Sequence, residues 1–319
     1  MKKVLLVGTG NIARDYVKVL QGLSVSFDVV GRSVEGCRQF TEDTGVPATS
    51  GGVQAAGIQP GVCDAAILAI DASQLVPVAL DLMALGVRNL LVEKPGAISK
   101  RDFASLVCRA DDTQTKVYIA YNRRFYASLM QAERLIDQDG GLCSMQFEFT
   151  EWPHTVTKTG LPEETLRNWF LCNSTHVVDM AFYFGGMPKQ MMCYAGGTQI
   201  WTDEHERFVG AGITERGVYF SYGSNWNAPG RWKVELMTKA HRLIFAPIEK
   251  LQIQNNGSVK VEPDETLDDT LDRKYKPGLY LETATFLGFY PEYMNKLKTA
   301  QEQLNMFPVY EQISGRTYP

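Results

Sequence analysis

The sequence predicts a doubly wound α/β domain followed by an α+β domain whose large open sheet is mostly antiparallel. Three observations carry this reading. The first part of the chain alternates runs that are apolar throughout with helical patterns. After Tyr121 the runs instead alternate polar and apolar residues. A glycine-rich turn, Gly8-Thr9-Gly10-Asn11-Ile12-Ala13, separates the first run from the first helix. Fully apolar runs divided by helices mark a parallel sheet covered on both faces. Alternation marks strands with one buried face.

In the first part the strands fall at residues 4–7, 27–30, 65–70, 89–92 and 117–120, with helices at about 11–21, 34–44, 73–85 and 99–110. A further strand near 46–52 is weakened by Pro47, Gly51 and Gly52. In the second part residues 144–150 alternate cleanly. Residues 190–195, 207–213, 217–223, 231–238 and 241–246 do so less cleanly, with Lys239-Ala240 as a turn. A helix is expected over 165–184 and another over 281–305. Residues 1–121 are thus expected to form a dinucleotide-type domain. Residues 122–319 are expected to form the α+β domain, with the active site in the cleft between the two.

A chain of 319 residues suits two domains, each with its own core. The 32 Lys and Arg against 36 Asp and Glu leave a formal charge of −4, with no basic excess for nucleic acid or an anionic membrane. No apolar run approaches the roughly 20 residues of a membrane helix. The start imitates a signal peptide, but its apolar run stops at Gly8 and reads as a strand. The six cysteines are scattered, without a CxxC pair, which suits a reducing cytoplasm. His154, His205 and His241 have no metal-ligand spacing with one another or with cysteine, so no metal is expected. The acidic stretch 262–272 reads as a solvated loop.

A G-x-G-x-x-A turn that follows a strand and opens a helix is the dinucleotide fingerprint of a Rossmann fold. Gly8 permits the tight turn, Gly10 lets the backbone approach a pyrophosphate, and Ala13 lets helix and strand sit close. Thr9, Asn11 and Ile12 complete a loop whose N–H groups face the phosphates. The second strand ends in Gly31-Arg32-Ser33. An NAD site usually places an acid there, on the ribose hydroxyls. Arg32 instead suits a 2′-phosphate through forked, charge-assisted hydrogen bonds, and Ser33 adds a donor. NADP is therefore expected, with NAD possible. After the strand 89–92 comes Glu93-Lys94-Pro95, and a lysine at that end of such a sheet faces the ligand crevice.

Together with Tyr121-Asn122-Arg123-Arg124-Phe125 and His176-Val177-Val178-Asp179, these motifs resemble the Gfo/Idh/MocA family, the glucose–fructose oxidoreductase and inositol dehydrogenase group, over nearly the whole chain. Residues 173–179, 225–232 and Lys276-Pro277-Gly278 resemble a subgroup associated with sugar and surface-polysaccharide metabolism. The resemblance implies an NAD(P)-dependent dehydrogenase or reductase acting on the CH–OH group of a sugar, nucleotide sugar or cyclic polyol. It also implies that residues 122–319 are the substrate-binding and oligomerisation domain of a homodimer or homotetramer. Lys94 and His176 take the catalytic roles, and the bond from Lys94 to Pro95 is expected to be cis. Ile70, Asp71, Glu93 and Lys94 join the cofactor contacts. Tyr121, Asn122, Arg123, Asn173, His176 and Asp179 face the substrate. Two departures stand out. Many members carry an aspartate four residues before the histidine, where this chain has Cys172, with Asn173 the nearest polar neighbour. Many also have a Pro-containing turn where this chain has Ile70-Asp71-Ala72-Ser73.

The chemistry asks for a base with a pKa near the operating pH to take the hydroxyl proton while hydride leaves the carbon. A free lysine is too basic until burial or a neighbouring cation lowers it, whereas a histidine starts near the right value. Asp179 lies one helical turn from His176, within reach of a hydrogen bond. Arg124 is read as facing solvent or an acidic partner. Trp152, Trp169, Trp226 and Trp232 could stack on a sugar ring but are more often core. Tyr194, Tyr219 and Trp201 are candidates for an open apolar face of the second sheet. Two other functions remain: reduction of a non-sugar carbonyl or imine, and a catalytically silent NADP-binding regulator. Cys172 permits the latter, while Lys94 and His176 argue against it.

Overall fold

The first apolar run becomes β1 (Lys3–Val7), and the glycine turn after it leads into α1 (Asn11–Gly22). In the computed structural model the chain continues through β2 (Phe27–Val30), α2 (Val34–Thr44), β3 (Ala48–Thr49), α3 (Gly52–Ala55), β4 (Cys63–Leu68), α4 (Leu75–Ala84), β5 (Asn89–Glu93), α5 (Lys100–Thr113) and β6 (Lys116–Ala120). The structure describes residues 3–55, 57–58, 61 and 63–319. Helix α1 forms because Ala13, Tyr16, Val17 and Leu20 repeat at helical spacing and bury one stripe. Ser33 and Ser99 begin α2 and α5 by accepting from the backbone N–H of Gly36 and Asp102. The strand foreseen near 46–52 shrinks to the two residues of β3, because Gly51 and Gly52 turn the chain with φ of +105° and +72°.

The chain then forms α6 (Ala127–Gln138), β7 (Ser144–Glu148), α7 (Pro153–Val156), α8 (Glu163–Arg167), a π-helical turn at Phe170–Ser174, and α9 (Thr175–Gly185). The helix expected over 165–184 is therefore three pieces. Asn168 ends α8, and the N–H of Thr175 reaches back five residues to the carbonyl of Phe170. Next come β8 (Pro188–Gly196), β9 (Arg207–Thr214), β10 (Tyr219–Asn225), β11 (Lys233–Met237), β12 (His241–Phe245), β13 (Gln252–Asn255) and β14 (Val261–Pro263). The chain closes with α10 (Thr270–Lys274), α11 (Leu279–Phe286), β15 (Lys298–Thr299) and α12 (Ala300–Ser314). The single tail helix expected over 281–305 is interrupted by Gly288, at φ +83°, and by a short 3₁₀ segment that Pro291 opens.

Contacts divide the chain into two units. Residues 1–122, 274–306 and 319 make the first; residues 123–273 and 307–318 make the second. The sequence reading kept residues 122–319 together, but the segment 274–306 packs with the first unit and adds β15 antiparallel to β6. The first sheet runs β15-β6-β5-β4-β1-β2-β3, parallel apart from β15. The second runs β14-β13-β12-β11-β7-β10-β9-β8, antiparallel apart from the β7–β10 pair. Helix α9 packs on β7 and β11, over an aromatic core that includes Phe147, Phe149, Phe182, Phe220 and Tyr222. Among the described residues, no helix is long and apolar enough to cross a membrane.

Candidate active site

In the first unit the loop from β1 to α1 is built around Gly8. Its φ is +125°, and a Cβ there would come within 2.1 Å of the Ala69 carbonyl oxygen and 3.1 Å of Ile70 Cγ2. Only glycine fits, and Ile70 lies against the loop. Gly10 caps α1 without a side-chain bond. The first turn of α1 carries no acid, and no described atom lies within 4 Å of a Cβ built on Gly10. These backbone N–H groups therefore suit a phosphate. Ala13 is fully buried, Asn11 accepts from Arg14, and Ile12 is part-buried.

The tip of β2 adjoins this loop. A Cβ on Gly31 would lie 2.6 Å from Thr9 Cγ2 and 2.5 Å from Cys37 Sγ, so close packing demands glycine there too. Arg32 is exposed, and no described residue hydrogen-bonds or ion-pairs with its guanidinium. Ser33 Oγ accepts from Gly36 N at 3.1 Å, leaving its O–H free to donate. Asp71 turns inward to accept from the N and Oγ of Ser73.

At the end of β5, Tyr16 donates to Glu93 Oε1 at 3.0 Å. Burial holds the Glu93 carboxyl above its ordinary pKa, while the charges of Lys94 and Lys276 and the Tyr16 bond pull it back. Lys94 is part-buried, and its bond to Pro95 is cis. Tail residues missed in the sequence brace this turn. Gln303 Nε2 donates to Pro95 O at 2.9 Å and to Tyr121 Oη at 3.2 Å, and Lys298 Nζ sits 4.4 Å from the centre of the Tyr121 ring. Asn122 Nδ2 donates to Pro277 O at 2.8 Å, anchoring the Lys276-Pro277-Gly278 segment. Tyr121 and Asn122 are thus both buried and engaged in packing this corner.

In the second unit His176 is the second residue of α9 and is buried. Its ring centroid is 6.1 Å from that of Trp232. Arg123 lies over the same indole at 4.9 Å. Asp179, foreseen beside His176, is held by Arg124: Nε to Oδ2 at 2.9 Å and Nη2 to Oδ1 at 2.8 Å, with both side chains buried. Asn173 donates to Glu151, a residue the sequence reading passed over because a lone acid beside a strand end carries no pattern. Cys172 is buried within the π-helical turn. Trp169 and Trp226 are core; Trp169 meets Trp201 edge to face and Trp226 stacks on it, so Trp201 does not join Tyr194 and Tyr219 on the open sheet face.

Residues 2–121 match the sequence model of the Gfo/Idh/MocA group, an oxidoreductase family with an NAD-binding Rossmann fold. Residues 2–121 are thus similar to the NAD-binding Rossmann domain of that family. Their Gly8 cradle, open α1 N-terminus and Glu93-Lys94-Pro95 turn fit a dinucleotide of that kind. No curated protein sequence matches the chain. Similar solved structures include UDP-N-acetylglucosamine 3-dehydrogenase from Acidithiobacillus ferrooxidans, at 13% identity and a TM-score of 0.75 over 99% of this chain and 98% of that one. The WlbA dehydrogenase from Bordetella pertussis, in complex with NADH and UDP-GlcNAcA, shares 15% identity at a TM-score of 0.74 over 98% and 94%. Levoglucosan dehydrogenase in complex with NADH shares 13% at a TM-score of 0.79 over 98% and 95%. At such identities these likenesses show a shared fold over nearly the whole chain.

Proposed function

We propose that this chain is an NAD(P)-dependent dehydrogenase or reductase that moves hydride between nicotinamide and a hydroxyl-bearing or carbonyl carbon of a sugar, nucleotide sugar or cyclic polyol. The observation that carries the reading is the glycine loop, which excludes any side chain at Gly8, set in the same sheet as a lysine at the end of β5. The solved structures of sugar and nucleotide-sugar dehydrogenases support the substrate class.

A nicotinamide bound there would supply the hydride chemistry, as acceptor for the alcohol carbon or donor to the carbonyl. Lys94 and His176 divide the proton work. One takes the hydroxyl proton during oxidation and gives it back during reduction; the other holds the oxygen while charge develops on it. Arg123 and Asn173 orient the substrate, with Tyr121, Asn122 and Asp179 fixing the segments around them. Arg32, exposed beside the phosphate loop, favours NADP over NAD through its forked donors.

The protein acts as a homo-oligomer. Met192, Tyr194, Val209 and Tyr219 form an exposed apolar face on β8, β9 and β10, and light scattering at micromolar concentration should report at least a dimer. The functional test follows reduced-nicotinamide absorbance with both cofactors against neutral sugars, uronates, nucleotide sugars and inositols. Turnover with one of these classes is expected. Tight cofactor binding with no turnover on any of them would overturn the enzymatic reading and leave the silent regulator.

A further inference from the structure

We infer that Glu151 is the positioning residue for the His176 end of α9, holding both the turn from which His176 extends and the indole its ring faces. The inference rests on the oxidoreductase reading above, which gives His176 its task.

Glu151 lies between β7 and α7 and is 1% exposed. Its Oε1 accepts from Asn173 Nδ2 at 2.9 Å, Ser174 Oγ at 2.8 Å and Trp232 Nε1 at 3.1 Å; its Oε2 accepts from Arg231 Nη1 at 3.3 Å. Asn173 and Ser174 are the last residues of the π-helical turn, three and two positions before His176. Trp232, held from below by the same oxygen, faces the His176 ring. One carboxylate therefore ties the backbone that carries His176 to the surface the imidazole packs on.

The chemistry of the four partners explains why this group is a carboxylate. All four donate, so the site calls for a group with acceptors only. An amide of the same length would turn its NH₂ either toward Arg231 or into the cluster of three donors, leaving donors opposed. Bonds to an ionised acceptor are also shorter and about twice as strong as neutral ones. Arg231 is itself clamped between the rings of Trp152 and Trp232, at 4.9 and 5.0 Å, so its charge is fixed beside Oε2. Burying a carboxylate is expensive without such partners, and a side chain that only filled space here would be apolar. π-helical turns are frequent at functional sites, and this one places two donors on Glu151 immediately before the histidine.

The test compares the full-length wild type with Glu151→Gln, Trp232→Phe and the double variant. Cofactor affinity should stay within about twofold, since the glycine loop belongs to the other unit. The kcat of Glu151→Gln should fall about 10- to 100-fold, the loss expected when a catalytic group is misplaced by an ångström or less. Trp232→Phe keeps a ring and removes one donor, so it should fall less, and the double variant should lose less than the product of the two. An activity-independent arm follows the indole N–H signal of Trp232 and the ring-proton signals of His176 by NMR. Both should shift in Glu151→Gln. A role limited to stability would lower the melting temperature but leave the His176 signals in place. Unmoved His176 signals, or a kcat within twofold of wild type, would overturn the inference. If the wild type itself turns over no substrate, the functional proposal falls while the NMR arm still decides the role of Glu151.

Discussion

Replacing Asp179 with asparagine isolates the buried ion pair beneath α9. Arg124 reaches both carboxylate oxygens, at 2.9 and 2.8 Å, with side chains only 10% and 3% exposed, and its guanidinium also lies 4.9 Å from the centre of the Tyr183 ring. Asparagine keeps the shape and one acceptor. It then turns an NH₂ against the guanidinium and removes the opposing charge in a site with little water. Removing one partner of such a pair costs about 3–5 kcal/mol. Two charge-assisted bonds at about 1.5–3 kcal/mol each lead to the same range. For a unit of this size the melting temperature should fall by roughly 6–20 °C. The loss is read from urea titration followed by tryptophan fluorescence, with calorimetry alongside. Arg124→Met combined with Asp179→Leu removes both charges and should recover most of it, because a packed apolar pair is about as stable as a buried ionic one. A loss below about 1 kcal/mol in Asp179→Asn, or a double variant no more stable than the single one, would refute the assignment of Asp179 as the structural partner of Arg124.

Lys94→Met keeps length and apolar bulk but removes the charge and the donors; turnover should drop at least ~10²-fold with cofactor affinity largely kept, as measured by steady-state kinetics and cofactor titration. Arg32→Asp should reverse a preference for NADP(H), which the native arginine should set at about 1.5–3 kcal/mol in relative affinity; equal binding of both cofactors by the native protein would remove the arginine from that role. Glu204, buried beside Arg316 and Tyr318, has its carboxyl pushed up to about 7 from an ordinary 4.5 by burial, with Arg316 and Tyr318 opposing. Its folded pKa is raised, so the folded chain keeps a proton that the unfolded chain releases. Stability therefore falls as pH rises from about 4.5 to about 7, by about 3 kcal/mol at most. Urea midpoints should decline over that interval in the wild type and flatten in Glu204→Gln.

The first sheet was legible because strands buried on both faces are apolar there, as residues 4–7 of β1 and 90–92 of β5 are at every position. The glycine loop was legible for a similar reason: Gly8 and Ala13 answer steric demands that leave few alternatives. The tail was not. Residues 281–305 have helical composition, but β15 is only two residues long, and its pairing with β6 depends on an edge left open far earlier in the chain. Strands β13 and β14 were also missed. They are short and part-buried or exposed, so they lack the alternation that betrays a half-buried strand. Within the site, Lys94 and His176 stood out through motif context. Gln303 and Lys298, which brace Tyr121 and the Lys94-Pro95 turn, sit in a helix and an edge strand with no chemical signature.

The Cys172 departure turns on helix register. Counting four residues back from His176 presumes an unbroken α-helix, in which positions i and i+4 share a face. The bond from Thr175 N to Phe170 O widens the turn to five, so an α-helical count does not describe what residue 172 faces. A carboxylate on Cys172 would need its own buried donors, yet the two side chains that follow it in the turn already donate to Glu151. The thiol is a small, weakly polar group that suits such a buried spot. The acid beside the π-helical turn thus arrives from the loop after β7, where four donors converge on it, and the turn itself needs none.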